Sequence, residues 1–186
     1  MEPDHIVKSV GNHSKEQCAS SLDKWQPELT GDMDLVITRD GKWVYEGHPI
    51  PRESATKLFS TILRKEEDGE FYLVTPVEKW RIQVEDTPLL AHSLTVRGEG
   101  QEQVLSVTTN MGDVIDISDE HPLIVGQYPD SDEPRPVVMV RKGVEARLVS
   151  NAFYELVKLA EDREVDGETW HGVESQGKFW KIGQHG

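Results

Sequence analysis

Between Arg39 and Asp86 the chain sets down a hairpin, an amphipathic helix and two strands in a fixed order, and a similar order returns in the second half. Leu35-Val36-Ile37 and Trp43-Val44-Tyr45 flank Asp40-Gly41, the pattern of two strands joined by a tight turn. Gly47 to Pro51 breaks that pattern, and Pro51 is placed to open a helix. Ala55, Leu58, Phe59, Ile62 and Leu63 then recur at i, i+3, i+4, i+7 and i+8, an apolar helical stripe that Asp68-Gly69 ends. Residues 71–74 read as a strand, Thr75-Pro76 as a break and residues 77–85 as a second strand. Alternation puts Trp80, Ile82 and Val84 on one face of it and Lys79, Arg81, Gln83 and Glu85 on the other.

In the second half, residues 92–96, 104–109 and 114–117 read as an antiparallel meander linked by Gly98-Glu99-Gly100 and Asn110-Met111-Gly112. Residues 130–136 form an acidic, proline-containing loop, and residues 137–140 a buried strand. A helix is expected over 145–160, with Val149, Ala152, Phe153, Leu156, Val157 and Ala160 as its apolar stripe. Asp166-Gly167 echoes Asp68-Gly69 at an offset of 98 (166 − 68), and a hairpin over 172–182 closes the chain. Helix, Asp-Gly and aromatic-rich hairpin thus occur twice, which points to internal duplication. The fold class that follows is α+β: two related subdomains, each an antiparallel sheet with one amphipathic helix. The expected boundaries are a loose polar leader over 1–30 with a short helix near 18–24, an N-terminal subdomain over 31–97 and a C-terminal one over 98–186.

Charge limits the partners. Thirty-four acidic against twenty basic residues give a net charge of −14. That surface repels a phosphate backbone, so a nucleic acid polymer or an anionic membrane is not expected as partner. No apolar run reaches the roughly 20 residues that span a bilayer, and MEPDHIVKSVGNHSKEQ lacks the apolar stretch of a secretory signal. A lone cysteine, Cys18, forms no internal disulfide; it fits a cytoplasmic location and reads as an incidental thiol.

Few constellations carry chemistry. Lys79 and Arg81 share a strand face and would suit a phosphate or carboxylate; the other reading is a solvated face with Glu85 as counter-ion. Glu85 and Asp86, adjacent on a strand, face opposite sides and do not act as an acid–base pair. Arg147, Asn151, Tyr154 and Lys158 recur at i, i+4, i+7 and i+11, a polar stripe that either lines a cleft or is the wet side of a surface helix. Trp43, Trp80, Trp170, Phe179 and Trp180 could each stack on a planar ring; most tryptophans in such a domain are core, Trp80 in particular, and Trp170 and Trp180 are the freer candidates. His171-Gly172-Val173-Glu174-Ser175-Gln176-Gly177 has G-x-x-S-x-G spacing, not the G-x-S-x-G of a nucleophile elbow, and reads as a β-turn. Asp116, Asp119, Glu120 and His121 are the best acidic cluster, but they lie at a turn and no metal-binding spacing occurs. Neither a metal nor a cofactor is expected.

RDGKWVYEGHPIPRESATKLFSTIL followed by YLVTPVEKWRIQVEDTPLL resembles the signature of bacterial domain-of-unknown-function family 1285. VRKGVEARLVSNAFYELVKLA and HGVESQGKFWKIG resemble its later half, with Glu174 and Gln176 where that family shows an aromatic and a glycine. The resemblance implies a duplicated α+β core whose C-terminal half is pleckstrin-homology-like. It also implies a site for a nucleotide-like ligand at the junction of the halves, a signalling role and no enzymatic activity.

The leading expectation is therefore a non-enzymatic module for a small anionic, nucleotide-like ligand in the cleft between subdomains. Lys79, Arg81 and Arg147 would neutralise phosphate, Thr75, Glu78, Asn151 and Tyr154 would bond base or sugar, and Phe179 or Trp180 would stack on the ring. A protein-interaction module without small ligand is the second expectation, and a metal-assisted phosphoester hydrolase the third.

Overall fold

A computed structural model of the chain describes residues 5–7 and 22–184. Cys18 and the first part of the expected leader helix lie outside the described residues. The chain divides into two compact units, Met1–Pro88 and Leu89–Gly186.

The first unit is built on a six-stranded sheet. Its strands are β1 (Gly31–Ile37), β2 (Trp43–Tyr45), β3 (His48–Pro49), β4 (Leu63–Lys65), β5 (Phe71–Val74) and β6 (Lys79–Val84), with α1 (Glu53–Thr61) between β3 and β4. Their order across the sheet is β3-β2-β1-β6-β5-β4, with β1 parallel to β6 and every other pair antiparallel. Alternation along β1 buries Met33, Leu35 and Ile37 and leaves Asp32 and Asp34 exposed. Helix α1 buries Ala55 and Phe59, and the Phe59 and Trp43 rings lie 6.3 Å apart. The helix ends sooner than its stripe suggests: Ile62 is its C-cap, Leu63 opens β4, and both are fully buried. Asp68-Gly69 is then not a helix stop but the turn of the β4–β5 hairpin, where Gly69 takes φ +82°.

The described residues of the expected leader are tied to the first unit's sheet. Ile6 and Leu22 are buried, Leu22–Lys24 form a 3-10 turn, and the Arg64 guanidinium donates to the carbonyls of Leu22 and Trp25 at 3.0 and 2.8 Å.

The second unit holds β7 (Leu89–Arg97), β8 (Val104–Thr109), β9 (Val114–Asp116), β10 (Leu123–Gln127), β11 (Pro134–Arg141) and β12 (Val144–Leu148). Helix α2 (Ser150–Lys158) follows, then β13 (Glu161–Val165), β14 (Glu168–Ser175) and β15 (Lys178–Gln184). The first six form a sheet in the order β9-β8-β7-β12-β11-β10, with β7 parallel to β12. Numbered within its own unit, each large sheet reads 3-2-1-6-5-4 with the parallel pair at its centre. The helices do not share this correspondence: α1 follows the third strand and α2 the sixth.

Three expectations need correction. The units meet at Pro88/Leu89, not after residue 97, because β7 takes both its ladder partners, β8 and β12, from the later chain. The helix expected over 145–160 begins at Ser150. Residues before it alternate with period two, burying Val144, Ala146 and Leu148, and so make a strand. Finally, one closing hairpin becomes a three-stranded sheet, β13-β14-β15. Its loops, Asp166-Gly167 and Gln176-Gly177, both put two residues at positive φ (53° and 85°, 56° and 72°), the geometry that matches strand twist in two-residue hairpins.

The small sheet is stitched to the large one by Ser175. Its side chain is wholly buried, accepts the Leu105 N–H at 2.9 Å and donates to the Ile117 carbonyl at 2.8 Å.

Candidate functional site

In the first unit the expected site residues are occupied with the fold. Thr75 is fully buried; its hydroxyl accepts the N–H groups of Val77 and Glu78 at 3.3 and 2.9 Å and so shapes the β5–β6 turn. Glu78 faces His5 at 3.7 Å. Lys79 Nζ lies 2.8 Å from Glu66 and 4.8 Å from the Tyr72 ring centroid. Register places Arg64, Tyr72, Arg81 and Asp32 in one row across β4, β5, β6 and β1, and Arg81 pairs with Asp32 within it. Glu66 completes the network by accepting from both Arg64 and Lys79. Burial alone would raise its carboxyl, but the hydrogen bonds from Lys79 and Arg64 hold it below its ordinary range. Lys79 and Arg81 therefore share a face as expected, and each already has a carboxylate partner.

In the second unit the expected polar stripe is not a stripe. Arg147 sits on β12 opposite Val137 and Leu90, whereas Asn151 and Tyr154 lie exposed on α2. Phe179 is covered by the Arg163 guanidinium at 4.5 Å and lies across Gly172, where a Cβ would come within 2.6 Å of the ring. Trp180 is buried and donates its indole N–H to the Ser175 carbonyl at 3.1 Å. Both aromatics belong to the packing of the small sheet. The turn expected over this motif is confined to Gln176-Gly177: residues 171–175 belong to β14, and the fully buried Ser175 is bonded on both sides. In the acidic cluster, Asp116 pairs with Arg97 at 3.0 Å and Asp119 with Lys178 at 2.8 Å. Among the described residues no group of three or more His, Cys, Asp or Glu side chains is placed to hold a metal ion.

What the second unit does offer is a pocket of about 390 Å³ between the start of α2 and the β10–β11 hairpin. The hairpin loop closes on itself: the Tyr128 N–H donates to the Glu133 carbonyl at 3.1 Å, and the Glu133 N–H to the Ser131 hydroxyl at 3.0 Å. That loop sets Tyr128, Glu133, Pro134 and Pro136 against Phe153, Tyr154 and Val157 of α2. Helix α2 is held there by its buried Ala152 and Leu156, and by the Val149 N–H bonded to the Ala91 carbonyl of β7 at 3.0 Å. From β12 come Arg147 and Leu148, whose side chains alternation sends to opposite faces, and Ser150 completes the rim. The walls are largely aromatic and apolar, with one cationic and one anionic residue, and the volume falls in the range of small-ligand sites. Of the nine residues expected at a site, Arg147 and Tyr154 come together here and the other seven do not. Pro134 and Pro136 were legible only as part of the acidic loop over 130–136, and Tyr128 lay outside it; Tyr128-Pro129 before the loop and Pro134-Arg135-Pro136 at its end were the available signal.

Among the described residues no helix is long and apolar enough to cross a membrane. A search of curated proteins finds no match. Residues 20–87 match the family described as domain of unknown function (DUF1285), N-terminal domain, and residues 88–182 match protein of unknown function (DUF1285), C-terminal domain. The boundary between the two matches falls one residue from that of the compact units. A crystal structure of a DUF1285 family protein from Silicibacter pomeroyi DSS-3 is 38% identical, with 92% of this chain and 95% of that one covered and a TM-score of 0.79. Another, from Shewanella baltica OS155, is 29% identical over 68% of this chain and 91% of that one, with a TM-score of 0.53. With both of its units matched in order and a crystallised relative aligned over nearly its whole length, the chain belongs to the DUF1285 family.

Proposed function

We propose that this protein is a non-enzymatic module that binds a small ligand in the pocket between α2 and the β10–β11 hairpin. The observation that carries the reading is the wall of Tyr128, Phe153 and Tyr154 around a ligand-sized space. Aromatic walls favour a planar ring, and the single arginine is accompanied by Glu133, so the pocket suits a nucleoside or monophosphate better than a polyphosphate. Occupancy read by a protein partner would give the module a signalling role.

A thermal-shift series with nucleosides, nucleoside monophosphates and cyclic dinucleotides tests this. A dose-dependent rise in melting temperature is expected, since ligand at about 100 times Kd adds about 2.7 kcal/mol to the native state. Tyr154→Ala, at a 67% exposed position, should leave the ligand-free melting temperature in place and abolish the rise. Arg147→Ala separates ligands with an anionic group, which lose affinity, from neutral ones, which do not. A flat series in the unaltered protein would remove the reading and favour the second one, docking of a protein segment on the exposed Tyr154.

We also propose that the two units derive from one ancestral module. The common strand order with a central parallel pair supports duplication; the 98-residue offset of the Asp-Gly pairs does not, because those pairs lie in non-equivalent hairpins. The run of six strands followed by α2 is what supports a pleckstrin-homology-like reading of the second unit, with β13 to β15 as an addition. Superposing the six strands of each sheet in chain order should bring all six into register. A fit that needs their order permuted would contradict duplication.

A further inference from the structure

A second cavity, of about 400 Å³, lies elsewhere in the second unit. One wall is Gly100, Gln101 and Gln103 at the turn between β7 and β8, another is Leu159 after α2, and the third is Glu161 and Arg163 of β13 with Glu174 of β14. The walls are cross-linked before any ligand arrives. The Gln103 side-chain amide donates to the Glu174 carbonyl at 2.8 Å, and the Gln176 N–H to the Gln103 carbonyl at 2.9 Å. Gly98 closes the loop at φ +71°, where a Cβ would come within 2.5 Å of the Glu102 carbonyl oxygen, so the turn admits no side chain.

The polar groups in this cavity are unbalanced. Arg163 is its single cation; it lies over Phe179 and forks between Glu161 at 2.7 Å and Glu174 at 2.9 Å. Each carboxylate gives one oxygen to that fork, which leaves acceptor capacity on the second oxygen of each, and the amide of Gln101 lines the same cavity. An anion entering would meet two carboxylates and an arginine held by both of them and by an aromatic ring. A donor-rich cation would meet acceptors, with Leu159 beside it for a short alkyl chain.

We infer that this cavity binds a small organic cation, an alkyl diamine or guanidinium compound of a few carbons. The net charge of −14 draws such cations toward the protein, and the preformed acceptors select among them. Calorimetric titration of the whole chain with putrescine, spermidine and agmatine, against tetramethylammonium at matched ionic strength, tests it. Saturable one-to-one binding is expected for amines or guanidines that carry N–H donors and not for tetramethylammonium. Glu174→Gln and Glu161→Gln should each weaken binding roughly tenfold or more, as loss of a charge-assisted hydrogen bond does. Glu85→Gln, an exposed change of equal charge in the first unit, should leave it unchanged, and so should Tyr154→Ala in the other pocket. Equal weakening in Glu85→Gln would show diffuse counter-ion attraction and overturn the inference, as would unaltered affinity in Glu161→Gln, which holds even where Glu174→Gln fails to fold. Failure of the aromatic pocket to bind nucleosides has no bearing on this result.

Discussion

Replacing Ser175 by alanine should destabilise the second unit severely, although it removes one oxygen atom. That oxygen has no solvent exposure and joins three strands' worth of backbone: it accepts from Leu105 of β8 and donates to Ile117 just past β9, while its own chain is β14. Alanine leaves a buried N–H and a buried carbonyl lone pair without that partner. At about 1–3 kcal/mol for each stranded group, and with Ile117 and Leu105 still joined by their own backbone bond, the loss should be roughly 2–4 kcal/mol. In a unit of about 100 residues each kcal/mol lowers the melting temperature by about 4–8 °C, so a fall of about 10 °C or more is expected where this unit melts as its own transition. Scanning calorimetry with urea unfolding by tryptophan fluorescence reads the change, and the transition of the first unit should not move. A loss below about 0.5 kcal/mol would mean that the hydroxyl does not bridge the sheets, and would reopen Ser175 as a residue held for chemistry.

Other outcomes follow from single geometric facts. Gly172→Ala would drive a Cβ to 2.3 Å from the Trp180 carbonyl oxygen, whereas Gly126→Ala meets nothing within 4 Å; the first should lose native near-ultraviolet dichroism or at least about 2 kcal/mol, and the second should not. Glu46 and Gln176 stand at φ +50° and +56° in two-residue hairpins that favour Asn-Gly, so Glu46→Asn and Gln176→Asn should each raise stability by a few tenths to about 1 kcal/mol in urea titrations. Glu66 has its folded-state pKa depressed, so its share of stability is present above its ordinary pKa and is lost as pH falls through the folded value. The acid limb of the first unit's stability curve should flatten in Glu66→Gln, and an unchanged limb would contradict the Arg64–Glu66–Lys79 network.

Strands bounded by clear turn residues were legible in the sequence, and those whose signal was shared with a helix were not. Residues 43–45, 71–74 and 104–109 read as strands and are strands, because Asp-Gly, Thr-Pro and Asn-Met-Gly punctuate them. Over 144–148 a period of two and the four-residue step from Arg147 to Asn151 compete, and five residues are too few for spacing alone to choose. β13 reads Glu-Asp-Arg-Glu-Val and is mostly exposed, so it carries no apolar pattern at all; pairing with β14 makes it a strand. The site was less legible than the fold for the same reason. Lys79 and Arg81 do share a face, but whether a cation is spare depends on partners such as Glu66 and Asp32, which pairing across strands brings up from distant positions. The pocket's aromatic wall likewise joins Tyr128 to Phe153 and Tyr154 through a hairpin and a helix that no local pattern links.

The central claim is that the second unit's aromatic pocket takes a small planar ligand. Amide-resolved NMR titration of the whole protein with adenosine, guanosine and their monophosphates addresses it most directly. The account predicts saturable shifts concentrated at Tyr128, Glu133, Ser150, Phe153, Tyr154 and Val157, absent in Tyr154→Ala. Shifts that never saturate, or that gather on the first unit around Lys79 and Arg81, would contradict it.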